Sequence, residues 1–74
     1  MPVIQRFNGY VIRMYFEDHN PPHVHVVGPD FEALVAIEDQ VILAGEIPNQ
    51  HRREALDWIA ANTDMLMTEW ERMH

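Results

Sequence analysis

The spacing of apolar side chains changes at Pro48-Asn49, and this change divides the chain into two kinds of structure. Before it, apolar and polar residues alternate over short stretches, which is typical of strands with one buried face. After it, apolar residues recur every three or four positions, which is typical of an amphipathic helix. The sequence therefore predicts a sheet over residues 3–47 and a helical arm over residues 49–73.

The predicted sheet has about five short strands, at 3–7, 10–16, 23–27, 31–38 and 41–47. Asn8-Gly9 joins the first two strands and is a strong hairpin signal, because both turn positions need a positive φ. Parallel strands need long crossovers, so the short connections predict an antiparallel meander. On the last strand, Gly45 is expected to mark a bulge or a close contact. On the second strand, we expect one face to join the core. That core face carries Tyr10, Ile12, Met14 and Phe16.

The arm is predicted to begin with Asn49 as its N-cap. Its apolar stripe keeps one phase to the C-terminus and consists of Leu56, Ile59, Ala60, Thr63, Leu66, Met67, Trp70 and Met73. This phase favours one long helix, kinked near residues 62–64, while a restart there with Thr63 as a cap would give two. The predicted fold class is thus α+β, a single domain over residues 1–74 in which a meander packs against a C-terminal helix or kinked helix pair.

Composition limits what can stabilise the domain and what kind of molecule it can bind. The 74 residues include no cysteine, which excludes disulfides and thiolate zinc sites, so a bound metal, dimerisation or an efficient core must stabilise the domain. A net charge of −7 disfavours binding to nucleic acid. The N-terminus lacks the pattern of a signal peptide and no apolar stretch is long enough for a membrane span, so we expect the cytoplasm and no membrane.

Three of the five histidines fall in the window Asp18-His19-Asn20-Pro21-Pro22-His23-Val24-His25. The two prolines fix φ and stiffen the turn, and residues two apart on a strand share a face. Imidazole is a common ligand for borderline metals. The window therefore predicts a site for zinc or another divalent metal with His19, His23 and His25 as ligands, and with Asp18 or Glu17 orienting a ligand from behind.

Two other interpretations of this window stay open. The histidines can cap backbone groups, pair with Asp18 or lie exposed, with no metal at all. They can also serve as a general acid and base in a metal-independent ribonuclease, with Arg13 or Arg52 stabilising phosphate charge. The acidic balance of the chain counts against a ribonuclease.

Residues outside the window suggest contacts with another protein. All five basic residues are arginine, and guanidinium pairs well at interfaces. Arg52 and Arg53 lie near a helix N-terminus, where the macrodipole is unfavourable to them. We therefore name Arg13, Arg52, Arg53 and Trp58 as candidate interaction residues, whereas His51 and His74 are expected to be solvated.

Several segments together resemble the domain-of-unknown-function 4160 family of small bacterial proteins. They are residues 6–9, 11–16, 45–48, Trp58 and above all the run D-H-N-P-P-H-x-H-V at 18–26. The family is uncharacterised, and the resemblance carries no established catalytic residue. Members are often encoded beside another small protein, in pairs that resemble toxin–antitoxin modules.

The resemblance thus implies a partner-binding component of a two-gene, toxin–antitoxin-like module. The partner would be another small protein encoded nearby, or further copies of the chain in a homo-oligomer. The alternative is a divalent-metal-binding protein or metal-dependent hydrolase or nuclease that uses His19, His23 and His25. Neither interpretation specifies a substrate or a particular reaction.

Overall fold

The fold is known from a computed structural model that describes residues 3–74, so Met1 and Pro2, which the predicted domain includes, lie outside it. Five strands precede two helices: β1 Val3–Phe7, β2 Tyr10–Arg13, β3 His23–Val27, β4 Glu32–Ala36, β5 Ile42–Gly45, α1 Asn49–Ala61 and α2 Thr63–Met73. The strands form one sheet in the order β1-β2-β3-β4-β5, and every neighbouring pair is antiparallel. The predicted α+β meander is confirmed.

Two glycines serve the turns and irregularities of this sheet. Gly9 has a φ of 99° in the Asn8-Gly9 hairpin turn, but the positive φ also expected at Asn8 is wrong, since among the described non-glycine residues only Gln40 has one. Gly45 has a φ of 76°, and a Cβ at this position would collide with the carbonyl oxygen of Glu32 on β4. The pairing of β4 with β5 also skips Leu43, since Leu34 opposes Ala44 and Val35 opposes Ile42. The expected bulge and close contact near Gly45 are both present.

The second strand is shorter than predicted, and this corrects the assignment of Phe16 to the core. β2 ends at Arg13, and the chain turns at residues 16–17, where the N–H of Asp18 donates to the carbonyl of Tyr15 at 3.4 Å. Phe16 is consequently 62% exposed. Alternation predicts the face of a residue only while the strand continues, and here the chain leaves the sheet first.

The core lies between the sheet and the two helices. It includes Ile12, Val24 and Val35 from the strands and Ile59 and Leu66 from the helices, all fully buried. Trp70 completes the helical side. Most of the predicted stripe therefore packs on the chain's own sheet, although Ala60 is exposed. Val24 and Val26 belong to this core, and His23 and His25 alternate with them along β3.

The helical arm is two helices, and its caps differ from those predicted. Pro48, not Asn49, is the N-cap of α1, with no side-chain cap hydrogen bond, because the Pro48 carbonyl accepts from the N–H groups of His51 and Arg52. Asn62, not Thr63, joins the helices: its N–H donates to Ile59 and its carbonyl accepts from Leu66. Neither described helix has the length and apolar character needed to cross a bilayer.

Candidate metal centre

The loop between β2 and β3 brings a carboxylate over the third strand. It spans residues 14–22, contains a cis Asn20–Pro21 peptide bond and is attached to the sheet where the N–H of Ile37 donates to the Pro22 carbonyl at 3.1 Å. Two successive prolines restrict the backbone as it enters β3. Asp18 is thereby placed beside the face of β3 that carries His23 and His25.

His23 and His25 lie side by side on that face, as the H-x-H spacing predicts. Their ring centroids are 5.2 Å apart. Both residues are buried, with 6% and 9% of their surface exposed. A pair of buried imidazoles needs polar partners, because an unpaired buried polar group is costly.

Each imidazole is held through its Nδ1 atom. His23 Nδ1 lies 2.8 Å from the carbonyl oxygen of Pro21, and because a carbonyl only accepts, Nδ1 carries the hydrogen. His25 Nδ1 lies 2.9 Å from Oε2 of Glu32, a carboxylate that accepts when this nitrogen carries the hydrogen. These contacts fix the ring orientations and leave both Nε2 atoms for another role, which is how ligand histidines are oriented in metal sites.

Both Nε2 atoms point at one carboxylate oxygen. Asp18 Oδ2 is 3.4 Å from His23 Nε2 and 3.0 Å from His25 Nε2. The ligand atoms of these three residues all lie within 4.8 Å of one another, and no other group of three or more potential ligand residues meets this condition among residues 3–74. The structure therefore places two imidazoles and a carboxylate around one point.

The contacts of Asp18 with the two Nε2 atoms need a hydrogen or a cation between them. If Nδ1 of each histidine carries a hydrogen, a neutral ring presents a lone pair at Nε2, and a lone pair repels the carboxylate oxygen. A hydrogen shared between a ring nitrogen and Asp18 removes this repulsion, and so does a cation between the rings and Asp18. The second arrangement gives a divalent ion two nitrogen ligands and one oxygen ligand, a combination that suits zinc and other first-row metals.

Aromatic rings enclose the cluster on two sides. The ring of Tyr15 packs edge-on against His25 with centroids 4.4 Å apart. The indole of Trp70, on α2, lies 5.4 Å from the ring of His23. These contacts limit the access of water and strengthen electrostatic interactions at the site. They also connect the site to the C-terminal helix.

The structure brings together only part of the predicted ligand set. His19 and Glu17 are exposed, and neither belongs to the group around His23 and His25. Asp18, predicted to orient a ligand, instead has its carboxylate among the candidate ligand atoms. His19 precedes the cis Asn20–Pro21 bond on an exposed part of the loop, and a spacing pattern alone does not reveal which loop residue turns inwards.

Glu32 was not predicted from the sequence, although the hairpin register contains the signal. The turn at Gly28-Pro29-Asp30-Phe31 makes Val27 oppose Glu32 and His25 oppose Leu34. Residues on the same face at diagonal positions of two paired strands are within reach of long side chains. The predicted strands 23–27 and 31–38 already contain His25 and Glu32, and only their register was needed to place the two side chains together.

The candidate interaction residues are spread over the molecule. Arg13 is half-buried on β2, directly opposite His25. Arg52 and Arg53 are exposed on α1, and no ion pair within residues 3–74 includes either of them. Trp58 is half-buried, with its ring edge-on to Phe7 at 6.0 Å, so it packs at the margin of the core.

Of the two remaining histidines, His74 is exposed as predicted, whereas His51 is half-buried. His51 packs its ring 4.8 Å from that of Tyr10, and His74 stacks on Trp70 at 3.9 Å while its Nδ1 donates to the Trp70 carbonyl. Next to His51, the hydroxyl of Tyr10 donates to Oε1 of Glu54 at 2.7 Å. Burial, and then the hydrogen bond and charge of Glu54, raise the pKa of Tyr10 above its ordinary value.

The fold and the cluster define a small α+β domain with a buried pair of histidines joined by one aspartate. A family model described as a domain of unknown function (DUF4160) matches residues 9–71. The chain belongs to this family, as the sequence predicts. A comparison with curated proteins and a comparison with solved structures each give no match.

Proposed function

We propose that this protein binds a divalent metal ion, with His23, His25 and Asp18 as its ligands. The observation that carries the proposal is that both Nε2 atoms and one Asp18 oxygen converge, at 3.0 and 3.4 Å, while other groups hold both Nδ1 atoms. Histidine ligands of metal sites are typically oriented by a second contact at the other ring nitrogen, as both rings are here. Zinc is the ion that we name first, because imidazole and carboxylate are among its usual ligands.

Three protein ligands leave coordination positions for water or another small ligand. A divalent ion in such a position polarises what it binds and lowers the pKa of bound water. This chemistry fits the metal-dependent hydrolase or nuclease that the sequence leaves open. The residues of the chain would contribute binding and orientation: the Pro21 carbonyl and Glu32 hold the rings, and Tyr15 and Trp70 shield them.

Calorimetric titration of zinc into the metal-free protein tests the proposal. We expect one site per chain, with micromolar or tighter affinity. Asp18→Asn and His25→Ala should each weaken binding at least tenfold. His19→Ala is the matched control, because His19 lies in the same loop but is exposed, and it should leave the affinity unchanged.

Circular dichroism of each variant establishes that the fold persists. Asp18→Asn is the variant that we expect to perturb the fold least, since it alters a loop residue and nothing in the core. Binding weaker than about millimolar, or equal binding by wild type and both ligand variants, would end the metal proposal.

A second candidate function is the partner-binding component of a two-gene, toxin–antitoxin-like module, acting in the cytoplasm. Exposed apolar side chains support it: Val41 is 50% exposed and Leu43 44% exposed. Both lie near the exposed acids Glu38 and Asp39, in a stretch from 28 to 47 that has no base. Such a surface suits a partner that carries apolar and basic side chains.

Co-expression with the protein encoded beside it tests this second function. We expect a complex that survives size-exclusion chromatography and that Leu43→Asp disrupts. Met65→Asp is the control, because Met65 is similarly exposed, at 40%, but lies on α2. A clean monomer with no complex at micromolar concentration counts against a partner of either kind, whether a neighbouring protein or a second copy.

A further inference from the structure

We infer that the metal site also binds an oxyanion, of the phosphate or carboxylate kind, between the ion and the side chain of Arg13. The inference rests on the proposed metal site and names the ligand that would occupy its open coordination positions. It depends on where the pairing of β2 with β3 places Arg13 and on the charges around the cluster.

Arg13 is the residue of β2 that directly opposes His25 on β3. Opposed residues of an antiparallel pair project to the same face, with Cβ atoms about 4.5–5.5 Å apart. The guanidinium of Arg13 therefore extends from the same face as the imidazole of His25. A long side chain at this position reaches a small ligand bound at the ion.

The guanidinium of Arg13 has no carboxylate partner in the part of the chain that the structure describes. Within residues 3–74, none of the ion pairs includes Arg13, although Asp18 and Glu32 both contact the neighbouring His25. Arg13 is also half-buried, so it is less completely hydrated than a surface arginine. A partly desolvated guanidinium gains from a bidentate anionic partner, and oxyanions match its geometry.

Charge balance supports the same ligand. The carboxylates of Asp18 and Glu32 neutralise a divalent ion, and the guanidinium of Arg13 then leaves the site with a positive charge. An anion that bridges the metal and Arg13 would neutralise it. The acidic surface elsewhere does not contradict this, because interactions over more than a Debye length, about 8–10 Å, are screened at physiological salt.

Titration of inorganic phosphate into the cobalt-loaded protein tests the inference, since visible absorption of bound cobalt reports a change of its ligands. Sodium acetate in a separate titration distinguishes a carboxylate from a phosphate, and sodium chloride at equal ionic strength controls for salt. We expect saturable binding of at least one of the two anions. Arg13→Gln should weaken it about tenfold, as the loss of a charge-assisted hydrogen bond would.

Arg6→Gln is the control, because Arg6 is an exposed arginine on the neighbouring strand β1, and it should bind the anion as wild type does. Cobalt affinity should be the same in all three proteins within about threefold. Equal anion binding by Arg13→Gln and wild type would overturn the inference while leaving the metal proposal standing. Failure of wild type to bind cobalt would instead overturn the metal proposal, and this inference with it.

Discussion

Glu32 holds His25 from the side opposite Asp18, with its Oε2 atom 2.9 Å from Nδ1 of the imidazole. The carboxylate thus acts on the candidate metal centre without being one of its ligands. It comes from β4 and reaches a histidine on β3 across the hairpin. The register between β3 and β4 therefore determines how the His25 ring is oriented.

Removing this support should weaken metal binding without abolishing it. We expect Glu32→Ala to lower zinc affinity by about 10–100-fold, the usual effect of losing such a partner. Glu32→Gln should retain much of the affinity, because its amide oxygen still accepts from Nδ1. A competition titration against a chelating dye measures each value, and Glu38→Ala, at an exposed acid beyond the end of β4, is the control. Equal affinities for Glu32→Ala and wild type would remove Glu32 from the site.

Tyr10 should make stability fall at alkaline pH. Burial and Glu54 raise its pKa in the folded state, so above about pH 10 the unfolded chain releases a proton that the folded chain keeps. This contribution is fully present below the unfolded pKa and is lost as pH rises, at about 1.4 kcal/mol per pH unit for one proton. The chain has no lysine and only two tyrosines, so few groups titrate in this range.

Urea unfolding at a series of pH values between about 9 and 11 measures this dependence. Tyr10→Phe should show a shallower loss of the free energy of unfolding than wild type. Tyr15→Phe is the control and should keep the loss. If all three proteins lost stability in parallel, the buried phenol would not be its source.

Leu66 should contribute far more to stability than its neighbour Met65. Leu66 is fully buried, whereas Met65 is 40% exposed on the other side of α2. Leu66→Ala should lower the free energy of unfolding by about 2–5 kcal/mol, because it leaves a cavity between helix and sheet. Met65→Ala should change it by less than about 0.5 kcal/mol. Similar costs for the two variants would mean that α2 does not pack on the sheet as described.

Two glycine substitutions should differ in cost although both positions have positive φ. At Gly9 the nearest atoms to an added Cβ belong to the His51 ring at 3.5 Å, so Gly9→Ala should cost only the conformational strain, about 1–2 kcal/mol. At Gly45 the Cβ also meets the backbone of Glu32, which cannot move freely. Thermal unfolding should therefore show a larger loss for Gly45→Ala, and the reverse order would contradict the β4–β5 contact.

Local patterns were sufficient to predict much of the fold. Asn8-Gly9 predicted the first hairpin, alternation in β3 predicted the shared face of His23 and His25, and the change of period at Pro48 predicted the helices. Each of these depends on residues close in sequence. The number of helices was left open because the apolar phase is nearly continuous through Asn62, and the break there comes from hydrogen bonds of that one residue.

The candidate site was predicted less completely, since its members meet through tertiary structure. The H-x-H spacing identified two histidines, but choosing between Asp18 and His19 depends on how an irregular loop turns. Glu32 needed the exact pairing of β3 with β4. The contact of Trp70 with His23 needed the packing of α2, which no local pattern contains.

Leu43 interrupts the ladder on β5, one of the two edge strands of the described sheet, since the β4–β5 pairing passes over it. A short, kinked rim of this sort is a poor template for the sheet of another molecule. The exposed apolar side chains of Val41 and Leu43 are thus less able to draw another sheet into pairing than they would be on a long, regular edge. A partner that binds at this edge would therefore be recognised through the shape and charge of its side chains, with few backbone hydrogen bonds.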